Sequence, residues 1–316
     1  MYLTGFADEA GKDIDTQIKA TLELGWENIE LRSIGDKNLA SISDVEFEDA
    51  YEKLKIAGIK INCFGSNIAN WGKSPRSEED FESSIKELKN AIPRMQRLGT
   101  KLVRGMSFKI LEDERFDSPE LEKIIFQKIN VLVEICEDAG IIYGHENCMN
   151  YGGQSHIHTL RLLENIKSDN FKLIFDTGNP VFTFRRIGSE PYTLQNAFEF
   201  YKNIREHIYY VHIKDGIAIE MKENYERPQT RFTFAGEGSG FVHQIVADLL
   251  KNGYDGGFSI EPHVATVFHD HDNQTDKELS ALRKYETYIK YGQDFKKLLL
   301  GATANGSKTP FLQEKV

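Results

Sequence analysis

Short β-prone apolar runs alternate with longer stretches in which apolar residues recur every three or four positions, and the alternation spans most of the chain. Residues 2–6 form the first such run, and residues 14–24 follow with Ile14, Ile18 and Leu22 on one helical face. The pair then recurs as strand 28–32 with helix 47–57, strand 59–64 with helix 78–98, strand 101–105 with helix 119–139, and strand 141–146 with helix 155–166. Strand 172–176 with helix 194–207, strand 209–214 with helix 241–252, and strand 257–261 with helix 276–300 complete it. Gly25, Gly58, Gly99 and Gly140 each close a helical pattern shortly before a strand, where a left-handed residue is expected. Pro119 after Ser118 suits a first helical turn with its cap.

Eight strand-then-helix units predict α/β construction closed into a (β/α)8 TIM barrel, occupying residues 1–300 as a single catalytic domain. The Gly-, Ala-, Ser-, Lys- and Asn-rich residues 301–316 read as a flexible terminal tail. A dinucleotide fold would need GxGxxG after the first strand, and Gly5 to Gly11 does not supply it; Gly236-Glu-Gly-Ser-Gly240 reads as a tight turn. Two connections on the strands' C-terminal side are long: 216–240, where Phe232-Thr-Phe is expected to fold back as a hairpin, and 264–275, which carries His269-Asp-His271.

Composition narrows the partners. The chain has 316 residues with 49 acidic and 39 basic, a net charge of −10, which disfavours nucleic acid and membrane surfaces. Its 3 cysteines, Cys63, Cys136 and Cys148, form no CxxC pair, so neither a disulfide framework nor a thiolate zinc site is expected. No secretion signal opens the chain and no apolar run approaches the roughly 18 residues of a membrane span, so a soluble cytoplasmic protein is expected.

The chemistry concentrates at strand ends. Gly144-His145-Glu146-Asn147 closes the fifth strand, and Asp176, His212 and Glu261 close the sixth, seventh and eighth. On a barrel these are neighbouring staves of the catalytic rim. Three converging carboxylates repel unless a cation sits among them, and with one imidazole they suit a divalent ion: Mn, Mg or Co, with Zn compatible. The competing reading of any single strand-end acid is structural, a helix cap or a partner for Lys or Arg. His145, next to Glu146, should point away and pack.

Gly5-Phe-Ala-Asp-Glu, Gly144-His-Glu-Asn, Phe175-Asp-Thr-Gly-Asn179, Val211-His-Ile-Lys-Asp215, Gly236-Glu-Gly and Ile260-Glu-Pro-His263 resemble the sugar phosphate isomerase/epimerase family of xylose isomerase-like barrels. That group includes tagatose-type ketose 3-epimerases, hydroxypyruvate isomerases, inosose dehydratases and, more distantly, endonuclease IV. The resemblance covers about residues 2–300 and implies that Glu146, Asp176, His212 and Glu261 hold the metal. It further implies that Glu146 and Glu261 exchange the substrate proton from opposite faces. A small-molecule carbohydrate substrate is expected, with pairing into a homodimer; a lyase, a phosphodiester hydrolase and a non-catalytic sugar-binding barrel are the alternatives. Many relatives carry histidine where Asn179 stands here, which disfavours a multi-zinc nuclease site.

Further candidates surround these. Lys214, two residues past His212, holds a substrate oxygen or phosphate, or pairs with Asp215 or another neighbour. Arg104, Arg32 and Glu30 end the fourth and second strands. Asn179 and His263 are placed to reach substrate or to fix a ligand. Glu9, with Asp8, lines the floor or caps the first helix, and Trp71 walls the pocket as a sugar-stacking face or packs into the core. His269 and His271 read as solvent-exposed.

Overall fold

The computed structural model describes residues 1–111, 115, 118–220, 228–265 and 277–304. Eight parallel strands form one sheet: β1 (Tyr2–Gly5), β2 (Asn28–Leu31), β3 (Lys60–Gly65), β4 (Leu102–Gly105), β5 (Ile142–Glu146), β6 (Phe171–Asp176), β7 (Ile208–Ile213) and β8 (Gly257–Ile260). Around the sheet the order is β1-β8-β7-β6-β5-β4-β3-β2, and a parallel bridge between Phe6 and Glu30 brings the two edges together into a nearly closed barrel. Among the described residues eight α-helices alternate with the strands: α1 (Ile14–Glu23), α2 (Asp44–Ala57), α3 (Glu78–Leu98), α4 (Pro119–Asp138), α5 (His156–Asn165), α6 (Ala197–Ile204), α7 (Val242–Lys251) and α8 (Lys277–Ala304). The last helix runs past residue 300, and residues 305–316 lie outside the described part, as do His269 and His271.

Local chemistry explains the helix starts. Asp13, Ser43, Ser77, Ser118, Ser155 and Asn196 each accept a backbone N–H of the first turn, and Ser43 with Glu46 makes a reciprocal capping box. That box starts α2 three residues before its first buried apolar residue, Phe47. Asn196 likewise delays α6 to Ala197, because Thr193–Leu194 pairs instead with Phe184–Arg185 as a short antiparallel ribbon. The 216–240 connection does fold back: Asp215–Glu220 pairs antiparallel with Gln229–Thr233. Among the described residues no helix is long and apolar enough to cross a membrane.

Two apolar layers hold the barrel. The larger lies between strands and helices and includes Ile29, Phe64, Val103, Tyr143, Phe175, Val211 and Phe258. A smaller cluster of Cys63, Leu102, Ile174 and Tyr210 fills the barrel interior. Leu102, Ile174 and Tyr210 each stand two residues before Arg104, Asp176 and His212, so strand alternation points those polar groups inward as well, one layer nearer the C-terminal rim. Gly144 is part of the same plug: a Cβ there would lie 2.6 Å from Ile174 Cδ1 and 2.9 Å from Leu102 Cδ1. A side chain at Gly144 would have to displace the ends of both, so the glycine leaves this plug undisturbed.

Candidate metal centre

Glu146 from β5, Asp176 from β6, His212 from β7 and Glu261 just past β8 each offer one ligand atom, and these atoms lie within 4.8 Å of one another. Register explains part of this: His212 pairs with Asp176 on one side and with Ser259 on the other. All four side chains are buried. His212 Nδ1 is 3.5 Å from Glu146 Oε1 and 4.0 Å from Asp176 Oδ2. Its Nε2 points the other way, to the Glu30 carboxylate at 3.1 Å.

Each acid is held by further contacts. The backbone N–H groups of Gly178 and Asn179 donate to Asp176 Oδ1 at 2.8 and 2.7 Å, which leaves Oδ2 facing the cluster. A Cβ on Gly178 would lie 2.8 Å from Lys214 Cγ, so this turn needs its glycine. Asn179 Nδ2 donates to Glu146 Oε1 at 3.1 Å, and Arg104 Nη1 stands 3.3 Å from Glu146 Oε2. Lys214 Nζ lies 2.9 Å from Asp176 Oδ2 and 2.6 Å from Glu261 Oε2, while Arg32 Nη1 is 3.0 Å from Glu261 Oε1. Glu9, Glu261 and His263 form a second tight group, with His263 Nδ1 2.8 Å from Glu9 Oε1 and the His263 N–H donating to Glu9 Oε2 at 2.8 Å.

Charge governs the titration of these groups. Burial pushes the Glu146 carboxyl up, but Arg104 and His212 outweigh it and hold it at about 2. Burial and the neighbouring Glu261 and Glu146 push Asp176 up to about 6 despite Lys214. Burial would lower His212, yet Glu30 and Glu146, one at each ring nitrogen, push it up to about 10.

The residues present suit a divalent ion. Glu146 Oε2, Asp176 Oδ2 and His212 Nδ1 are buried and make no aligned hydrogen bond, so three inward-facing atoms have ligand capacity to spare. The carboxylates of Asp8, Glu9, Glu30, Glu146, Asp176 and Glu261 are at most 7 % exposed and face only Arg32, Arg104 and Lys214 as permanent cations among the described residues. Such a negative excess in a dry site calls for added positive charge. Hard oxygens with one imidazole suit magnesium, manganese, cobalt or zinc.

The remaining expected residues divide. Arg104, Asn179, Lys214, His263 and Glu9 all touch the cluster or its immediate partners. Trp71, on the loop between β3 and α3, is 51 % exposed and not part of the core. His145 faces away, with Nε2 3.0 Å from Ser107 Oγ, and burial pushes it down to about 4. Asp8 does not cap α1, which is capped by Asp13; it pairs with Arg32 at 2.9 Å. Two partnerships were not foreseen. Glu30 was a candidate only as an acid at the end of the second strand, and its partner His212 lies across the barrel. Asp215 accepts the N–H groups of Gly216, Gly236, Gly238 and Gly240 at 2.8, 2.9, 3.0 and 2.8 Å, which makes the glycine-rich turn its cradle.

Solved structures share this architecture at low sequence identity. The IOLI protein with a binding zinc atom is 17 % identical with a TM-score of 0.68, over 96 % of this chain and 100 % of that one. A xylose isomerase-like TIM barrel protein from Mycobacterium smegmatis in complex with magnesium is 16 % identical with a TM-score of 0.61, over 95 % of this chain and 97 % of that one. D-psicose 3-epimerase with D-tagatose from Clostridium cellulolyticum H10 is 13 % identical with a TM-score of 0.61, over 95 % and 99 %. No curated protein matches the sequence. At the level of families, residues 18–285 match the xylose isomerase-like TIM barrel, and the chain belongs to that family.

Proposed function

We propose that the protein is a divalent-metal-dependent isomerase or epimerase acting on a small sugar, sugar phosphate or hydroxy-ketone. The observation that carries this reading is the convergence of Glu146, Asp176, His212 and Glu261, with their ligand atoms within 4.8 Å of one another, at the C-terminal ends of four adjacent strands. Manganese, magnesium and cobalt are the favoured ions and zinc is compatible. A divalent ion held there supplies Lewis acidity that stabilises negative charge on a substrate carbonyl or hydroxyl oxygen, worth several kcal/mol.

The chain's own residues supply the rest. Glu146 and Glu261 stand at the two ends of the four-strand arc and bracket a bound ketone, so one removes a proton from the carbon beside the carbonyl and the other returns one. A positioned base of this kind contributes about 10² to 10⁴ in rate. Arg104 and Asn179 orient Glu146; Arg32 and His263, with Glu9 behind it, orient Glu261. In this reading Lys214 holds a substrate oxygen or phosphate, and Trp71 stacks on the sugar.

A lyase reading has one specific support: the Lys214 ammonium beside Glu261 puts an acid next to a base, as departure of a β-hydroxyl requires. One experiment separates the two. Metal-loaded protein is incubated in D₂O with a panel of ketoses, ketose phosphates, hydroxypyruvate and inososes, followed by NMR and mass spectrometry. Isomerisation places deuterium on the carbon beside the carbonyl without loss of water, and elimination loses water. Glu146→Gln and Glu261→Gln should abolish exchange; full exchange by Glu261→Gln would remove the proton-transfer role.

A further inference from the structure

Resting on the reading of the four-residue cluster as a metal centre, we infer that Glu30 is the positioning residue that turns His212 so that Nδ1 faces the ion. Glu30 lies on β2 and His212 on β7, separated in the sheet by β1 and β8, so the contact crosses the barrel interior. Both Glu30 oxygens approach His212 Nε2, Oε2 at 3.1 Å and Oε1 at 3.2 Å. They do so from the side of the ring opposite Glu146 and Asp176, which face Nδ1. Glu30 therefore stands behind the histidine and not among the ligands.

The surroundings support one ring orientation. The Tyr210 hydroxyl donates to Glu30 Oε2 at 3.0 Å and keeps the carboxylate in place. Phe6 and Tyr210 meet the imidazole edge to face, with ring centroids 5.1 and 5.6 Å away. Glu30, Phe6 and Tyr210 are each no more than 1 % exposed, so the carboxylate and not bulk solvent meets Nε2. A carboxylate that accepts Nε2–H selects the tautomer whose Nδ1 lone pair is available to a metal and raises the basicity of that nitrogen. Without it, the ring gains nothing from presenting Nδ1 over presenting Nε2. Burying an ionised side chain whose ion pair, among the described residues, is with this histidine is otherwise unfavourable.

Isothermal titration of chelator-stripped protein with Mn²⁺ or Co²⁺ tests the inference. Glu30→Ala should weaken the ion's affinity by about 100-fold, and Glu30→Gln, which still accepts Nε2–H but carries no charge, by about 10-fold. Affinity unchanged in both variants overturns the role. Asp176→Asn run alongside separates the two levels of the argument: if it also leaves binding untouched, the metal reading fails, whereas weakening there with none at Glu30 refutes Glu30 alone. Should neither Glu30 variant fold, ¹⁵N NMR of wild-type protein loaded with diamagnetic Zn²⁺ decides the matter. His212 protonated at Nε2 with Nδ1 coordinated is expected, and the reverse assignment would contradict the inference.

Discussion

Replacing Lys214 with methionine is expected to tighten divalent-metal binding, although it removes a contact to two of the proposed ligands. The Lys214 ammonium lies 2.9 Å from Asp176 Oδ2 and 2.6 Å from Glu261 Oε2. An ion coordinated by the same oxygens at about 2.1 Å stands no more than about 5 Å from that ammonium. With an effective dielectric constant of about 20, a unit charge and a double charge at that separation repel by roughly 7 kcal/mol. The lysine stem can swing away and relieve most of this. If a fifth survives, about 1.4 kcal/mol, removing the charge tightens binding about tenfold. One effect opposes it: burial, Glu261 and Glu146 already push the Asp176 carboxyl up to about 6, and without Lys214 it would hold its proton longer. The comparison therefore belongs at a pH well above that value. Isothermal titration of Mn²⁺ into stripped wild-type and Lys214→Met protein is the assay. Equal or weaker binding by the variant would refute the idea that the ammonium competes with the ion, and would recast Lys214 as a brace for the carboxylates.

Other expectations concern the scaffold. Asp215→Ala removes the acceptor of four backbone N–H groups and should lower unfolding stability by about 3 kcal/mol or more in a urea titration; a loss within error would mean that the glycine-rich turn finds other partners. Ser77→Ala deletes the cap of α3 and is expected to cost about 1 kcal/mol, read as a small drop in melting temperature. Burial pushes the thiols of Cys63 and Cys136 up, the latter to about 12, so brief alkylation of native protein followed by mass mapping should leave both unmodified. Labelling of Cys136 at the rate of a free thiol would contradict its buried position.

The barrel was legible because parallel strands covered on both faces read as short apolar runs, and the intervening helices carry their own caps and closing glycines. Helix starts were less legible where polar chemistry precedes the apolar face. Ser43 and Glu46 open α2 at Asp44, three residues before Phe47, and the Thr193–Leu194 ribbon delays α6. The four-residue cluster could be anticipated because Glu146, Asp176, His212 and Glu261 share one local feature, a polar residue closing an apolar run. Glu30 and Asp215 share no such feature with their partners. Glu30 acquires its role from a histidine 182 residues away, and Asp215 from amides up to 25 residues on, so only the assembled fold reveals what each carboxylate faces. Gly178 also looks like an ordinary turn glycine in sequence, and the close approach of Lys214 is what requires it.

Direct measurement of metal stoichiometry tests the central claim most sharply. Protein stripped with chelator is titrated with Mn²⁺ by calorimetry, and the loaded sample is checked by elemental analysis, for wild type and for Asp176→Asn. A single saturable ion per wild-type chain and a large loss of affinity in the variant are expected. No saturable binding to folded wild-type protein, or equal binding by both, would contradict it.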